Sequence, residues 1–176
     1  MTCIVGYVDN EDVYIGGDSM TCIDEIYFIE DANKVFEIGP FLIGCSGDSD
    51  ALDRIRYYLS VDPHPVGYTD IRYLNTALVP AIKQAISDFK DPEVNLIVGY
   101  NKNIYLISGD IVATRIMSKF VCIGSGGKYA VGALAILDKM DNLTPEQKVL
   151  EALRVPEGFT RGVKGPYYVI KQKGKT

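Results

Sequence analysis

The chain has 176 residues, is 47% hydrophobic and 23% charged, and carries a net charge of −5 with a pI near 4.9. That balance provides no basic footprint for nucleic acid, because the one basic cluster is the tail Lys171, Lys173 and Lys175, read as a solvated end. No apolar run reaches the length of a bilayer span and no signal peptide opens the sequence, so a cytoplasmic, non-membrane protein with a single domain over residues 1–176 is expected.

The first stretch, Thr2 to Val8, reads as an apolar strand. Asp9-Asn10-Glu11-Asp12 turns it into a returning strand over Val13 to Ser19, where Gly16 and Gly17 signal close backbone approach near Asp18. Ile26 to Ile29 is a short apolar run between acidic turns. Lys34 to Ile38 and Phe41 to Ser46 are two more strands, joined by Gly39-Pro40. Asp48 or Ser49 caps a helix that runs to about Leu59, and the proline-rich stretch Asp62 to Tyr68 is a loop whose histidine, His64, is placed on the surface. Thr69 or Asp70 caps the next helix. Its apolar positions Ile71, Leu74, Leu78, Ile82 and Ile86 keep helical spacing to about Phe89.

A second run of strands covers Val94 to Tyr100, Ile104 to Ile107, a further short strand, and Phe120 to Gly124. Gly126-Gly127 opens a helix ending near Lys139. Thr144-Pro145-Glu146-Gln147 is a capping box with proline at the first helical position, and its helix reaches about Val155. Tyr167 to Ile170 closes the chain as a strand. Two runs of strands, each followed by a pair of helices, disfavour a doubly wound parallel sheet. They fit two antiparallel sheets face to face between helix layers, an α+β fold.

Four cysteines, Cys3, Cys22, Cys45 and Cys122, form no close pair, and with a single histidine they offer no metal-ligand spacing. They read as core residues in a reducing compartment, with no cofactor and no metal expected.

The chemistry gathers at the start. Removal of Met1 would leave Thr2 with a hydroxyl nucleophile and a free α-amine on one residue. An α-amine titrates near about 7.7–8.0, so part of it is an unprotonated base at neutral pH and can take the proton of the hydroxyl.

Five segments, in this order and spacing, resemble the proteasome β-subunits and the related bacterial peptidase HslV, members of the N-terminal-nucleophile (Ntn) hydrolases. They are Thr2-Cys3-Ile4-Val5-Gly6, Gly16-Gly17-Asp18-Ser19, Asn33-Lys34-Val35, Gly44-Cys45-Ser46-Gly47-Asp48 and Ile123-Gly124-Ser125-Gly126-Gly127-Lys128-Tyr129-Ala130. The resemblance runs nearly end to end and implies a four-layer αββα sandwich. It also implies roles: Thr2 as nucleophile, Asp18 orienting Lys34, Lys34 lowering the proton affinity of the threonine, Gly47 giving its N–H to the oxyanion, and Ser125 supporting the amine. Where β-subunits use an Asp and then Tyr-Ser-Gly to steady the threonine, this chain has Glu157-Gly158-Phe159-Thr160-Arg161-Gly162, so Glu157 and Thr160 take the matching positions. The segment before Gly47 is one residue shorter than in the family. With only Met1 ahead of Thr2, maturation is expected to fall to a methionine aminopeptidase.

The function these residues imply is a threonine-type peptidase cleaving peptides or unfolded proteins through an acyl-enzyme on Thr2. It would work in a homo-oligomeric ring, with an ATP-dependent unfoldase as a possible partner. Two other readings stay open: an inactive assembly or scaffold protein that keeps Met1, and a small-molecule amidase on the same fold. The resemblance places Met20, Cys22 and Cys45 around the pocket beside the nucleophile, which suggests a hydrophobic substrate side chain.

Overall fold

Side-chain alternation along β1 (Ile4–Asp9) decides the layering. Val5 and Tyr7 turn toward the helices, while Ile4 turns toward a second sheet. The structure, a computed structural model, describes residues 1–23, 25–29 and 33–172, so Lys173 and Lys175 of the basic tail lie outside the described residues.

One antiparallel sheet is built from β1, β2 (Asp12–Gly17), β10 (Phe120–Ile123) and β11 (Tyr168–Gln172), in the order β10-β1-β2-β11. The other contains β5 (Val35–Ile38), β6 (Phe41–Gly47), β7 (Val94–Tyr100), β8 (Asn103–Ser108) and β9 (Val112–Ile116), in sequence order. A two-stranded ribbon, β3 (Met20–Ile23) with β4 (Ile26–Ile29), stands apart from both. Ile4, Val13, Ile15, Val35, Leu42, Ile97 and Ile104 fill the space between the sheets.

Outside the five-stranded sheet lie α1 (Ser49–Tyr58), α2 (Asp70–Tyr73) and α3 (Val79–Ala85), packed on Phe41, Ile43, Leu96 and Val98. Outside the four-stranded sheet lie α4 (Gly127–Leu137) and α5 (Pro145–Arg154), whose Ala130, Leu134, Val149 and Leu153 cover Val5 and Tyr7. This is the expected four-layer αββα sandwich. The Thr144 capping box forms as expected, with Thr144 Oγ1 accepting from the Gln147 amide and the Gln147 side chain accepting from the Thr144 amide.

Three local expectations change. The helix expected over 69–89 is interrupted by a π-helical segment, Leu74–Leu78, between α2 and α3. Pro80 has no N–H for the i→i−4 ladder, and the Asn75 amide is drawn out to β9, where it pairs with both the N–H (2.9 Å) and the C=O (3.0 Å) of Ala113. Ile86 then leaves helical geometry, so α3 ends at Ala85.

The returning strand expected to reach Ser19 stops at Gly17, because the amides of Asp18 and Ser19 turn to Cys3 and Lys164. His64, expected on the surface, is half-buried. Its ring stacks on Tyr73 with centroids 4.4 Å apart, and its Nε2 donates to the Tyr68 carbonyl at 3.0 Å. That tautomer leaves Nδ1 to accept from the Tyr100 hydroxyl at 2.7 Å.

Two packing details carry consequences. A Cβ at Gly44 would lie 2.5 Å from Ile4 Cγ2 and 2.7 Å from Ile15 Cγ2, so glycine allows the sheets to close on each other there. Gly44→Ala is expected to cost about 1–3 kcal/mol in urea unfolding by overpacking this interface.

On the other side, Asp138 accepts hydrogen bonds from Tyr7 Oη (2.6 Å) and Lys119 Nζ (3.1 Å), and the Tyr7 hydroxyl holds its carboxyl below the ordinary range. A depressed carboxylate contributes stability above its unfolded pKa of about 3.9, and that contribution is lost as the pH falls through its lower folded value. Tyr7→Phe is expected to cost about 1 kcal/mol at pH 7. The gap to wild type should narrow on acidification below about pH 4 in parallel urea titrations.

Candidate active site

Thr2 and Cys3 precede β1, whose pairing with β10 brings them beside the glycine-rich turn 124–127. The Thr2 carbonyl accepts from the Gly126 amide at 3.0 Å. Gly124 has φ +82, and a Cβ there would meet the Thr2 carbonyl oxygen at 2.3 Å, so only glycine permits this approach. The same turn presents Ser125, whose Oγ accepts from the Thr2 N–H at 3.3 Å.

Asp18 follows directly from β2 and is fully buried. Its Oδ1 accepts from the Cys3 amide at 2.8 Å and its Oδ2 from the Met20 amide at 3.0 Å. Lys34, just before β5, reaches both carboxylate oxygens at 3.2 and 3.1 Å. Its Nζ also donates to the Met20 carbonyl at 2.5 Å and to the Met1 carbonyl at 3.4 Å. Burial pushes the Asp18 carboxyl up, while the Lys34 ammonium and the two amide donors pull it back toward the ionised form. Thr2 Oγ1 donates to the Met1 carbonyl at 2.7 Å, so that carbonyl is shared by the threonine hydroxyl and Lys34.

Met1, Thr2 and Lys34 line a cleft of about 210 Å³, with Asp18 buried behind them. Met20, Cys22 and Cys45 line it, as the resemblance implied. The α1 wall is more polar than expected, because helical spacing on α1 turns Asp53 and Arg56 toward the cleft beside Leu52. The Arg56 guanidinium lies 4.8 Å from the Phe36 ring centre, pairs with Asp53 at 3.5 Å and donates to the Asn33 carbonyl.

Burial pushes the Cys45 thiol up to about 12 against the nearby Arg56 charge, so it stays protonated at neutral pH. Gly47 ends β6 at the cleft mouth with φ +141, and a Cβ there would clash with the Glu93 carbonyl oxygen at 1.9 Å. Asp48, next to it, is the N-cap residue of α1, but its carboxylate goes to the Glu93 amide at 2.8 Å.

The structure therefore brings Thr2, Asp18, Lys34, Gly47 and Ser125 to one place. Glu157 and Thr160 sit differently. The Glu157 carboxylate accepts from the Tyr167 hydroxyl, and no hydrogen bond joins either residue to Thr2, Asp18 or Lys34 among the described residues. Thr160 Oγ1 is buried without a hydrogen-bond partner among the described residues. Tyr167 is the residue that sequence reasoning missed. Burial and the Glu157 hydrogen bond raise its hydroxyl, and the negative charges of Glu157 and Asp18 add to the rise. Its position in an apolar Tyr-Tyr-Val-Ile run marked it only as a strand residue.

All four cysteines are free. Among the described residues no group of three or more His, Cys, Asp or Glu is arranged to hold a metal ion, and no helix is long and apolar enough to cross a membrane.

No family model matches the chain. Individual proteins do. It is 29% identical over 161 residues to the ATP-dependent protease subunit HslV of Sulfurovum sp. (strain NBC37-1), covering 88% of each chain. It is 28% identical to the protein of the same name from Campylobacter fetus subsp. fetus, covering 88% of this chain and 86% of that one. Among solved structures, Thiobacillus denitrificans BPH in complex with epoxomicin superposes with a TM-score of 0.84 at 14% identity, over 99% of this chain and all of that one. The eukaryotic HslV from Trypanosoma brucei superposes with a TM-score of 0.73 at 20% identity, over 97% and 99% of the two chains. Related in sequence over most of its length and matched throughout in fold, the chain is HslV-like, with the architecture of the Ntn hydrolases.

Proposed function

We propose that this chain is the subunit of a self-compartmentalised threonine peptidase, armed by removal of Met1. The observation that carries the reading is that Thr2 and Lys34 line one cleft, with Ser125 on the Thr2 N–H and buried Asp18 on the Lys34 ammonium. Met1 now occupies the space in front of Thr2 and takes hydrogen bonds from both Thr2 Oγ1 and Lys34 Nζ. Its release turns the Thr2 amide into an amine and frees both groups for a substrate.

The amine then takes the Oγ proton, directly or through a water, and Oγ attacks the scissile carbonyl. The Lys34 charge next to it favours the alkoxide and the unprotonated amine. Gly47 donates its N–H to the oxyanion, an interaction whose loss typically costs about 10²–10³ in rate. The amine returns its proton to the leaving nitrogen, and a water activated by the same amine hydrolyses the threonyl ester. Asp18 touches no substrate in this scheme and acts by holding Lys34. Glu157 and Thr160 act from a distance, Glu157 through Tyr167, by setting the segment behind Ser125.

The substrate class is peptides or unfolded protein. The relatives are named ATP-dependent protease subunits, which supports a multi-subunit assembly that works with an ATP-driven unfoldase.

Intact mass and N-terminal sequencing provide the first test. Loss of one methionine, together with hydrolysis of a fluorogenic peptide that disappears in Thr2→Ala and falls in the presence of epoxomicin, is the expected result. Retention of Met1 in material from the native host would defeat the catalytic reading and leave a scaffold.

A second test separates charge from catalysis. Lys34→Met leaves the buried Asp18 carboxylate unpaired and is expected to cost about 3–5 kcal/mol in chemical denaturation, with loss of hydrolysis. The double variant Lys34→Met/Asp18→Asn is expected to regain much of the stability and none of the activity.

A further inference from the structure

The cleft lining carries the charged side chains Lys34, Asp48, Asp53 and Arg56. Two of them are already committed, Lys34 to buried Asp18 and Asp48 to the Glu93 amide. The other two, three residues apart on α1, are held very differently. Arg56 is fixed. Its side chain is 15% exposed, its guanidinium lies 4.8 Å from the Phe36 ring centre, and it donates to the Asn33 carbonyl. Asp53 is loose. Its side chain is 50% exposed, and its carboxylate stands 3.5 Å from the guanidinium. A formed charge-assisted hydrogen bond spans only about 2.7–2.9 Å.

This asymmetry decides which charge the cleft accepts. A carboxylate half in water leaves such a pair at little cost. The guanidinium cannot follow it, because an aromatic ring and a backbone carbonyl hold it in the wall. Its Nε is also buried without a hydrogen-bond partner among the described residues, so the cation is under-satisfied where it stands. An entering anion displaces Asp53 toward water and pairs with a cation that is desolvated and in place. An entering cation gains only a solvated carboxylate and meets a guanidinium that cannot retreat. The neutral Cys45 thiol adds no competing negative charge. Met20, Cys22 and Leu52, on the same lining, supply apolar surface for an aliphatic stem between backbone and charge.

We infer that the cleft takes an acidic side chain of the substrate, glutamate by its stem length, and that Arg56 is the residue that selects it. This rests on the peptidase reading above and names the side chain that precedes the scissile bond. It replaces the hydrophobic preference that Met20, Cys22 and Cys45 alone suggested.

The test uses the full chain, in material whose intact mass shows Thr2 first. Four fluorogenic peptides differ only in the residue before the scissile bond, which is Glu, Gln, Leu or Lys. Glutamate and glutamine match in shape, so the ratio of their kcat/KM values reads the charge alone. Wild type is expected to favour Glu over Gln by about 10- to 100-fold, and to cleave Lys most slowly. Arg56→Met is expected to bring the ratio to about 1, and Arg56→Lys to leave it between the two. Asp53→Asn, which removes the competing anion, is expected to raise it. If Arg56→Met fails to fold, Arg56→Lys and Asp53→Asn carry the test. A role for Arg56 in merely holding Asn33 beside Lys34 would slow all four peptides together and leave the ratio intact, which overturns the assignment. So does a wild type that prefers Leu or Lys, and in both cases hydrolysis itself keeps the peptidase reading standing. Hydrolysis of none of the four by material that begins at Thr2 defeats both.

Discussion

The buried Asp18–Lys34 pair holds the candidate site together. One carboxylate receives the amide at the start of β1, the amide at the start of β3 and the ammonium that precedes β5. Three chain segments from different parts of the sandwich are thereby pinned to one point. Removing two charges from water is costly, and the attraction between them returns that cost only where the remaining lone pairs and protons are satisfied. Here they are. Both carboxylate oxygens accept from a backbone amide as well as from Lys34, and Lys34 finds the Met20 and Met1 carbonyls with its remaining capacity. A site held this way places a positive charge beside Thr2 without relying on a flexible side chain in solvent.

The layers around the pair position the candidate site by backbone rather than by side chain. Gly124 and Gly47 each stand where a Cβ would collide with a carbonyl oxygen, one beside Thr2 and the other beside Glu93. The chain can thus approach Thr2 closely from the α4 side and present a turn at the cleft mouth from the β6 side. α1 serves two purposes. Its apolar face completes the core over Phe41 and Ile43, and its neighbouring flank sets Asp53 and Arg56 in the cleft wall. The polarity of this cleft wall is therefore tied to a helix whose position the core already determines.

Much of this was legible in residue order. The hairpin turn at Asp9 to Asp12, the Thr144 capping box and the strand–helix punctuation are local signals, formed by residues within a few positions of each other. The grouping of Thr2, Asp18, Lys34, Gly47 and Ser125 was legible only through resemblance, because no local rule joins residues as far apart as Thr2 and Ser125. Where local reading erred, a distant partner had intervened. β9 engaged the Asn75 side chain at the π-helical segment, and Tyr73 and Tyr100 packed around His64. The β3 strand also escaped notice, since Met20-Thr21-Cys22-Ile23 follows the buried Asp18 and has no alternation of its own to announce it.

The sequence by itself determined most of the element order, the antiparallel layered class and the residue types available at the start of the chain. Those follow from periodicity, turn chemistry and composition, which are properties of neighbours along the chain. Only the tertiary structure decided which charges meet, which carboxylate is buried, and which wall of the cleft is polar. These depend on contacts between residues tens of positions apart, whose energies arise from desolvation and packing once the sheets have closed.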